Sequence, residues 1–165
     1  MLRVMCYVFR DKKAFTLIEL LIAVAVVMLI SAITFPKYND FTERKRLESE
    51  AKQLVDVLEL AKKKSMSSDL YKTCSNFGGY KVDVLSNSYT LNFICNSVSQ
   101  TVQTYNFSAK NTIDLSKIGA VTFIPIDGTL QTEKNYILKN SALNKAIQIT
   151  ISRVGVISLG NIYDY

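Results

Sequence analysis

The pattern of hydrophobic and polar residues begins with a long apolar run. Residues 15–35 are 21 consecutive positions at which Glu19 is the only charged side chain. A helix of that length rises by roughly 30 Å, which is the thickness of the hydrocarbon core of a membrane. The pattern therefore predicts a transmembrane helix over residues 15–36, preceded by a short basic segment, residues 1–14.

After Pro36 the pattern changes to that of an amphipathic helix. Apolar residues recur at spacings of three and four, and charged residues occupy the other faces. The apolar positions are Leu47, Ala51, Leu54, Leu58 and Ala61, with Val55 beside them. This half of the helix is predicted over residues 37–68, with its end near residues 65–68. Because proline lacks an N–H and clashes with the preceding turn, we expect a kink at Pro36.

From about residue 70 the apolar positions alternate with polar ones, which is typical of strands. Residues 80–84 and 89–95 predict a hairpin, residues 121–126 predict a strand that ends at a turn, and residues 147–159 predict a closing pair of strands around Gly155. We expect six to eight short antiparallel strands in residues 69–165. The predicted fold class is α+β: a long N-terminal helix, apolar and then amphipathic, packed on an antiparallel β-sheet head domain.

The distribution of charge predicts the orientation in the membrane. The chain has a formal net charge of +6, and residues 1–14 hold four basic residues against one acidic residue. By the positive-inside rule, this basic segment keeps the N-terminus in the cytoplasm. The predicted location is therefore the cytoplasmic (inner) membrane, crossed once, with the head domain in the periplasm or outside the cell.

The reactive side chains in the sequence limit the kinds of catalysis and metal binding that the chain could support. The chain contains no histidine, which excludes Ser-His-Asp and Cys-His catalysis and removes the commonest neutral metal ligand. The aspartates are scattered, so no catalytic residue, metal site or cofactor is predicted, and the protein is not expected to be an enzyme. Cys74 and Cys95 would be exported, and either a disulfide of about 3 kcal/mol or two buried thiols fits them.

Glu19 is unusual because an ionised carboxylate in a hydrophobic segment costs a few kcal/mol to insert. A plain signal anchor or a cleaved secretory signal would gain nothing from it. One explanation is that Glu19 reaches back to the lipid headgroups. The other is that a charged partner enters the membrane beside it.

The residues Lys12-Lys13-Ala14-Phe15-Thr16-Leu17-Ile18-Glu19 resemble the leader junction of the type IV pilin and type II pseudopilin superfamily. The resemblance implies cleavage by a prepilin peptidase between Ala14 and Phe15, after the basic pair Lys12 and Lys13, and N-methylation of Phe15. It also implies that Glu19 pairs with the amine of a neighbouring subunit's first residue during assembly. Ala14 departs from the usual glycine, so slower cleavage is expected.

The C-terminal part is similar to the GspH/FimT branch of minor pseudopilins, through residues 123–128 and the strand pair around Gly155. The resemblance implies a minor subunit of a type II secretion pseudopilus or of a type IV pilus-like filament. The implied partners are the prepilin peptidase/methylase, other pilins or pseudopilins, the inner-membrane assembly platform, and membrane lipid before assembly. A DNA-binding minor pilin is the alternative, and it is disfavoured because Arg153 is the only cation near the C-terminus. A membrane-anchored enzyme is a third hypothesis.

Overall fold

A computed structural model describes residues 16–165, except for the side chains of residues 32–37. It contains one long α-helix, eight β-strands and one short 3₁₀ turn, Leu115–Lys117, so the predicted α+β class is confirmed. The helix, α1, spans Leu17–Met66. The strands are β1 Phe77–Val84, β2 Ser88–Cys95, β3 Val98–Asn106, β4 Asn111–Ile113, β5 Gly119–Phe123, β6 Lys134–Asn140, β7 Lys145–Ile151 and β8 Ile157–Asp164.

The chain divides into two compact units after Asn39. We call the described part of the first unit, residues 16–39, the N-terminal unit. We call the second unit, residues 40–165, the C-terminal unit. The backbone at residue 36 is helical, whereas the Pro36 side chain lies outside the described residues. A kink at Pro36 therefore stays a prediction.

The second half of α1 buries the apolar stripe that its spacing predicts. Leu47, Ala51, Leu54, Leu58 and Ala61 are all fully buried, which confirms the stripe. Val57 also joins the core, and Val55 is only partly buried at its edge. The helix ends at Met66, within the predicted range.

The strands form two antiparallel sheets of four strands each, where the sequence indicated a single head sheet. Sheet A has the order β3-β2-β1-β5, and sheet B has the order β4-β6-β7-β8. The predicted hairpin is β1 and β2, with Val82 opposite Leu91, and the predicted closing pair is β7 and β8. Both sheets and α1 contribute to one hydrophobic core.

Strands β3, β4 and β6 were not predicted, and β4 is only three residues long. β3 is an edge strand rich in Ser, Gln and Thr, with mostly exposed side chains, so it has no apolar face that alternation could reveal. β6 does alternate, with Tyr136 and Leu138 buried, but lysine and asparagine flank these residues and obscure the pattern. The Tyr136 hydroxyl donates a hydrogen bond of 3.0 Å to the carbonyl of Gly119, which joins sheet B to sheet A.

Glycine allows a close contact between β1 and β5. Gly79 lies at a register shift in the β1–β2 ladder and has a φ of +97°. A Cβ atom there would lie 2.2 Å from the carbonyl oxygen of Phe123, so a larger residue does not fit. The predicted strand 121–126 ends earlier, at Phe123, and Pro125 follows it in a loop.

The loop after β5 is strained. Ile126 has a φ of +78°, which a β-branched residue rarely adopts, and its side chain is 79% exposed. Buried Ser65 holds this loop near the end of α1, because its carbonyl accepts from the Ile126 N–H at 3.3 Å. The Ser65 hydroxyl accepts from the Tyr80 N–H at 2.8 Å, so the same residue also fixes β1.

Candidate functional site: the start of the N-terminal helix

Several of the predicted site residues fall before the first described residue. Lys12, Lys13, Ala14 and Phe15, which the sequence assigns to cleavage and methylation, lie outside the described part of the chain. Glu19 is described, and it lies in the first turn of α1. The described part of the site therefore begins at Thr16.

Thr16 caps the helix. Its carbonyl oxygen accepts from the N–H groups of Glu19 and Leu20, at 3.1 and 3.2 Å. Its hydroxyl accepts from the Glu19 N–H at 3.3 Å. A threonine that precedes a helix and is followed by glutamate three residues later has the spacing of a capping box. This Thr-x-x-Glu spacing was visible in the sequence, although the predictions from sequence did not use it.

The position of Glu19 is favourable for a carboxylate. The first turn of a helix carries unsatisfied N–H groups and the positive end of the helix dipole, both of which favour negative charge. The Glu19 side chain is exposed, and the Thr16 cap fixes the backbone that carries it. The carboxylate is thus positioned at the helix end, accessible to a cationic group.

Apart from Glu19, the first turns of α1 are apolar on every face, and we call residues 17–30 the apolar segment. Large side chains of this segment are 43–77% exposed. They are Leu17, Ile18, Leu20, Leu21, Ile22, Val24, Val26, Val27, Met28, Leu29 and Ile30. A helix that is hydrophobic all round needs an apolar environment on all sides.

Within residues 16–165, leaving aside the side chains of 32–37, the structure contains no helix that is both long enough and apolar enough to cross a membrane.

Two cysteines meet in the C-terminal unit. Cys74, in the loop after α1, is joined by a disulfide to Cys95 at the end of β2. Tyr71 in the same loop lies 6.3 Å, centroid to centroid, from Phe93, and Phe77 stacks on Phe93 at 5.5 Å. The disulfide therefore holds the loop against the aromatic end of sheet A.

A polar network joins α1 to sheet B. Buried Asn111 donates to the Glu50 carboxylate at 2.8 Å, and Asn140 donates to Asn111 at 2.6 Å. Asn140 also donates to Glu43 at 3.4 Å, and Lys110 donates to Glu43 at 2.7 Å. The hydrogen bond from Lys110, with help from Asn140, lowers the pKa of Glu43 below its usual value. Sequence separations of up to 97 residues explain why no sequence pattern showed this network.

No group of three or more histidine, cysteine or carboxylate side chains in the described part of the chain is arranged to hold a metal ion. The Gly78-Gly79 pair belongs to the bulge in β1, and Asp127 lies in the turn after β5.

Comparison with known proteins bears on the N-terminal segment. Residues 9–35 match the family model described as the prokaryotic N-terminal methylation motif. The match includes all the residues predicted for cleavage, methylation and pairing, and it indicates a type IV pilin-like precursor. No curated protein and no solved structure matches the chain.

Proposed function

We propose that the chain is a minor pilin or pseudopilin, which enters a type II secretion pseudopilus or a type IV pilus-like filament through its N-terminal helix. The observation that carries this proposal is the match of residues 9–35 to the methylation motif, because an apolar helix with an exposed carboxylate in its first turn begins within these residues. The GspH/FimT branch is the finer assignment that we propose.

The proposed precursor has four parts. Residues 1–14 are a cytoplasmic leader, residues 15–36 are held in the cytoplasmic membrane, residues 37–68 are the amphipathic half of the helix, and residues 69–165 are the exported head domain. The prepilin peptidase cuts between Ala14 and Phe15, next to Lys12 and Lys13, and the methylase modifies the new Phe15 amine. Lipid surrounds the apolar segment until the assembly platform extracts the subunit.

Glu19 provides the proposed assembly contact. In an apolar environment, an amine and a carboxylate attract each other strongly, and each supplies the partner that the other's burial requires. The Thr16 cap supports this role, because it fixes the turn that presents the carboxylate. The other proposed partners are the neighbouring pilins or pseudopilins, whose helices would cover the apolar segment.

The head domain is proposed to be a structural part of the filament and not a catalyst. Among the described residues, eight basic side chains form ion pairs with carboxylates of the same chain: Lys45, Arg46, Lys52, Lys64, Lys81, Lys110, Lys139 and Lys145. A nucleic acid would have to compete with these carboxylates for the cations. Exposed ion pairs of this kind are weak, so the preference for a filament subunit over a DNA-binding one rests on the C-terminal residues, near which Arg153 is the only cation.

The proposal is tested by intact mass and N-terminal analysis of the protein from membranes of a host with a prepilin peptidase. We expect a chain that begins at N-methylated Phe15. A chain that keeps Met1 in that host, or one that begins after Ser31, would refute processing as a pilin.

The Glu19 contact is tested separately by incorporation into filaments. Glu19→Gln removes the charge while keeping the shape, so we expect processed protein that stays in the membrane and fails to enter filaments. Glu133→Gln is the matched control, because Glu133 is exposed in the C-terminal unit. Equal incorporation of both variants would rule out the charge pairing.

A further inference from the structure

An amine, a carboxylate and a carboxamide meet where α1 packs beside the start of β4 and the end of β6. The Glu43 carboxylate accepts from the Lys110 ammonium at one oxygen, at 2.7 Å, and from the Asn140 side-chain nitrogen at the other, at 3.4 Å. Asn140 is fully buried and Glu43 is 9% exposed, whereas half of the Lys110 side chain is exposed. The amine and the carboxamide are thus held side by side on one carboxylate.

The backbone keeps the two groups adjacent. Asn111 lies opposite Asn140 in the β4–β6 ladder, and the N–H of Ser141 donates to the carbonyl of Lys110 at 2.9 Å. Lys110 and Asn140 therefore occupy adjacent positions on neighbouring segments of the chain. Because the four-carbon stem of lysine is flexible, a rotation of this stem is enough to bring the amine to the amide carbon.

The amide of Asn140 is polarised by its hydrogen bonds. Its oxygen accepts from the N–H groups of Ala142 and Leu143, both at 3.0 Å. Its nitrogen donates to Glu43 and, at 2.6 Å, to the side-chain oxygen of Asn111. Two donors on one side and two acceptors on the other fix which amide atom is the oxygen. Paired backbone N–H groups at a carbonyl oxygen stabilise the negative charge that develops there when a nucleophile attacks.

We propose that Lys110 and Asn140 form an intramolecular isopeptide bond, with Glu43 as the carrier of protons. Lys110 Nζ gives a proton to Glu43 and attacks Asn140 Cγ, while the N–H groups of Ala142 and Leu143 hold the charge on the oxygen. The Cγ–Nδ2 bond of Asn140 then breaks. Glu43 passes both protons that Nζ loses to Nδ2, which leaves as ammonium. One C–N bond replaces another, so the reaction needs no oxidant, reductant or co-reactant.

The bond should form slowly. The hydrogen bond from Lys110 lowers the pKa of Glu43, so the ion pair predominates and the transfer of a proton to the carboxylate is uphill. The exposed half of Lys110 also leaves its ammonium hydrated. We therefore expect the bond in protein that has aged in the folded state, and free side chains in newly folded protein.

The bond would fasten a short strand at the edge of sheet B. β4 is three residues long and lies beside β6. A covalent link between Lys110 and Asn140 closes a loop and lowers the entropy of the unfolded chain, as a disulfide does. The inference does not depend on the proposed function, because it concerns residues of the C-terminal unit alone.

Peptide mass spectrometry tests for the bond. The full chain is reduced and digested with trypsin, both when freshly purified and after several weeks in the folded state at neutral pH. Trypsin does not cut after an acylated lysine, so the bond would join residues 82–117, uncut at Lys110, to residues 140–145. We expect this joined peptide, lighter than the sum of its two parts by one ammonia, to increase with time. Its absence from the aged protein would overturn the proposal.

Three variants identify the reacting groups. Lys110→Arg keeps a cation beside Glu43 without the amine, and Glu43→Gln removes the proton carrier while keeping the shape, so both should lack the joined peptide. Lys139→Arg, next to Asn140 in β6 and paired with Asp114, is the control and should form as much of it as the original chain. Near-ultraviolet circular dichroism checks that each variant is folded before ageing. An equal yield in Glu43→Gln would refute the role of the carboxylate.

A second reaction that releases ammonia is distinguished by the same peptides. The backbone nitrogen of Ser141 can attack the Asn140 side chain and form a succinimide. That product stays within residues 140–145 and would persist in Lys110→Arg. Loss of ammonia from this peptide alone would therefore overturn the isopeptide bond.

Discussion

The two units of the chain place the same residue types in opposite environments. In the N-terminal unit, Leu21 is 61% exposed and is surrounded along the helix by other apolar residues. In the C-terminal unit, Leu54 on the same helix is fully buried, and charged residues occupy the other faces. The difference lies in the spacing of the apolar residues, because a stripe can be covered by one layer of strands, whereas a continuous run requires an apolar environment on all sides.

The units also differ in how they are reinforced. The C-terminal unit has a disulfide, a buried amide–carboxylate network and two sheets that share a core. The described contacts of residues 16–20 are instead local to the helix start. We infer that the C-terminal unit keeps its fold independently, while the N-terminal unit depends on what surrounds it.

The largest effect should come from matched leucine truncations. Leu54→Ala is expected to lower the free energy of unfolding of the C-terminal unit by about 2–5 kcal/mol, because it leaves a cavity in the core. Leu21→Ala should change that free energy by less than about 0.5 kcal/mol. Urea denaturation of the full chain in detergent, followed by the near-ultraviolet circular dichroism of the tyrosines, measures both. Similar losses in the two variants would contradict the difference in environment between the two units.

Removal of the disulfide should weaken the C-terminal unit. The two cysteines are 21 residues apart, so replacing both by serine should lower the free energy of unfolding by about 3 kcal/mol. The same denaturation experiment measures the loss, and a reducing agent should then have no further effect. Cys6→Ser is the control, and a comparable loss in that variant would show that the paired cysteines do not account for the effect.

Relief of backbone strain should stabilise the C-terminal unit. Ile126→Gly removes a β-branched residue from a positive φ, and little apolar contact is lost because the side chain is exposed. The expected gain in the free energy of unfolding is about 1 kcal/mol, after the flexibility of glycine in the unfolded chain is counted. Ile124→Gly, nearby in the same loop, should instead destabilise. Destabilisation by both changes would argue against strain at Ile126.

The smallest effect should be a dependence on acid. The pKa of Glu43 is lowered by its hydrogen bond from Lys110, so its contribution is present above the usual value of 4.5 and is lost as the pH falls through the lowered folded-state pKa. Glu43→Gln should flatten the acid limb of the stability profile, which is the loss of unfolding free energy between neutral and acidic pH. The expected change is less than about 1 kcal/mol. Thermal unfolding between neutral and acidic pH measures the limb, with Glu133→Gln as the control. An unchanged limb in Glu43→Gln would exclude this carboxylate as its source.

Local pattern accounts for the parts that could be predicted. The helix, its buried stripe, the β1–β2 hairpin and the closing strand pair all depend on neighbours within a few residues, so periodicity reveals them. β3 places only Val102 and Tyr105 against the core, three residues apart, so alternation gives no such signal. The Thr16 cap has a local signature, and it could have been found from the sequence.

The sequence by itself determined the methylation motif, the carboxylate position at Glu19 and the contrast between an apolar run and an amphipathic stripe, because each of these is a property of residues close together in the chain. Only the tertiary structure decided that the strands form two sheets, that Asn140 reaches Glu43, and that Leu143 and Lys145 face Phe41 and Arg44 across a groove. These contacts join residues that are far apart in the chain, and their positions depend on how the sheets pack around the helix, which no local pattern specifies.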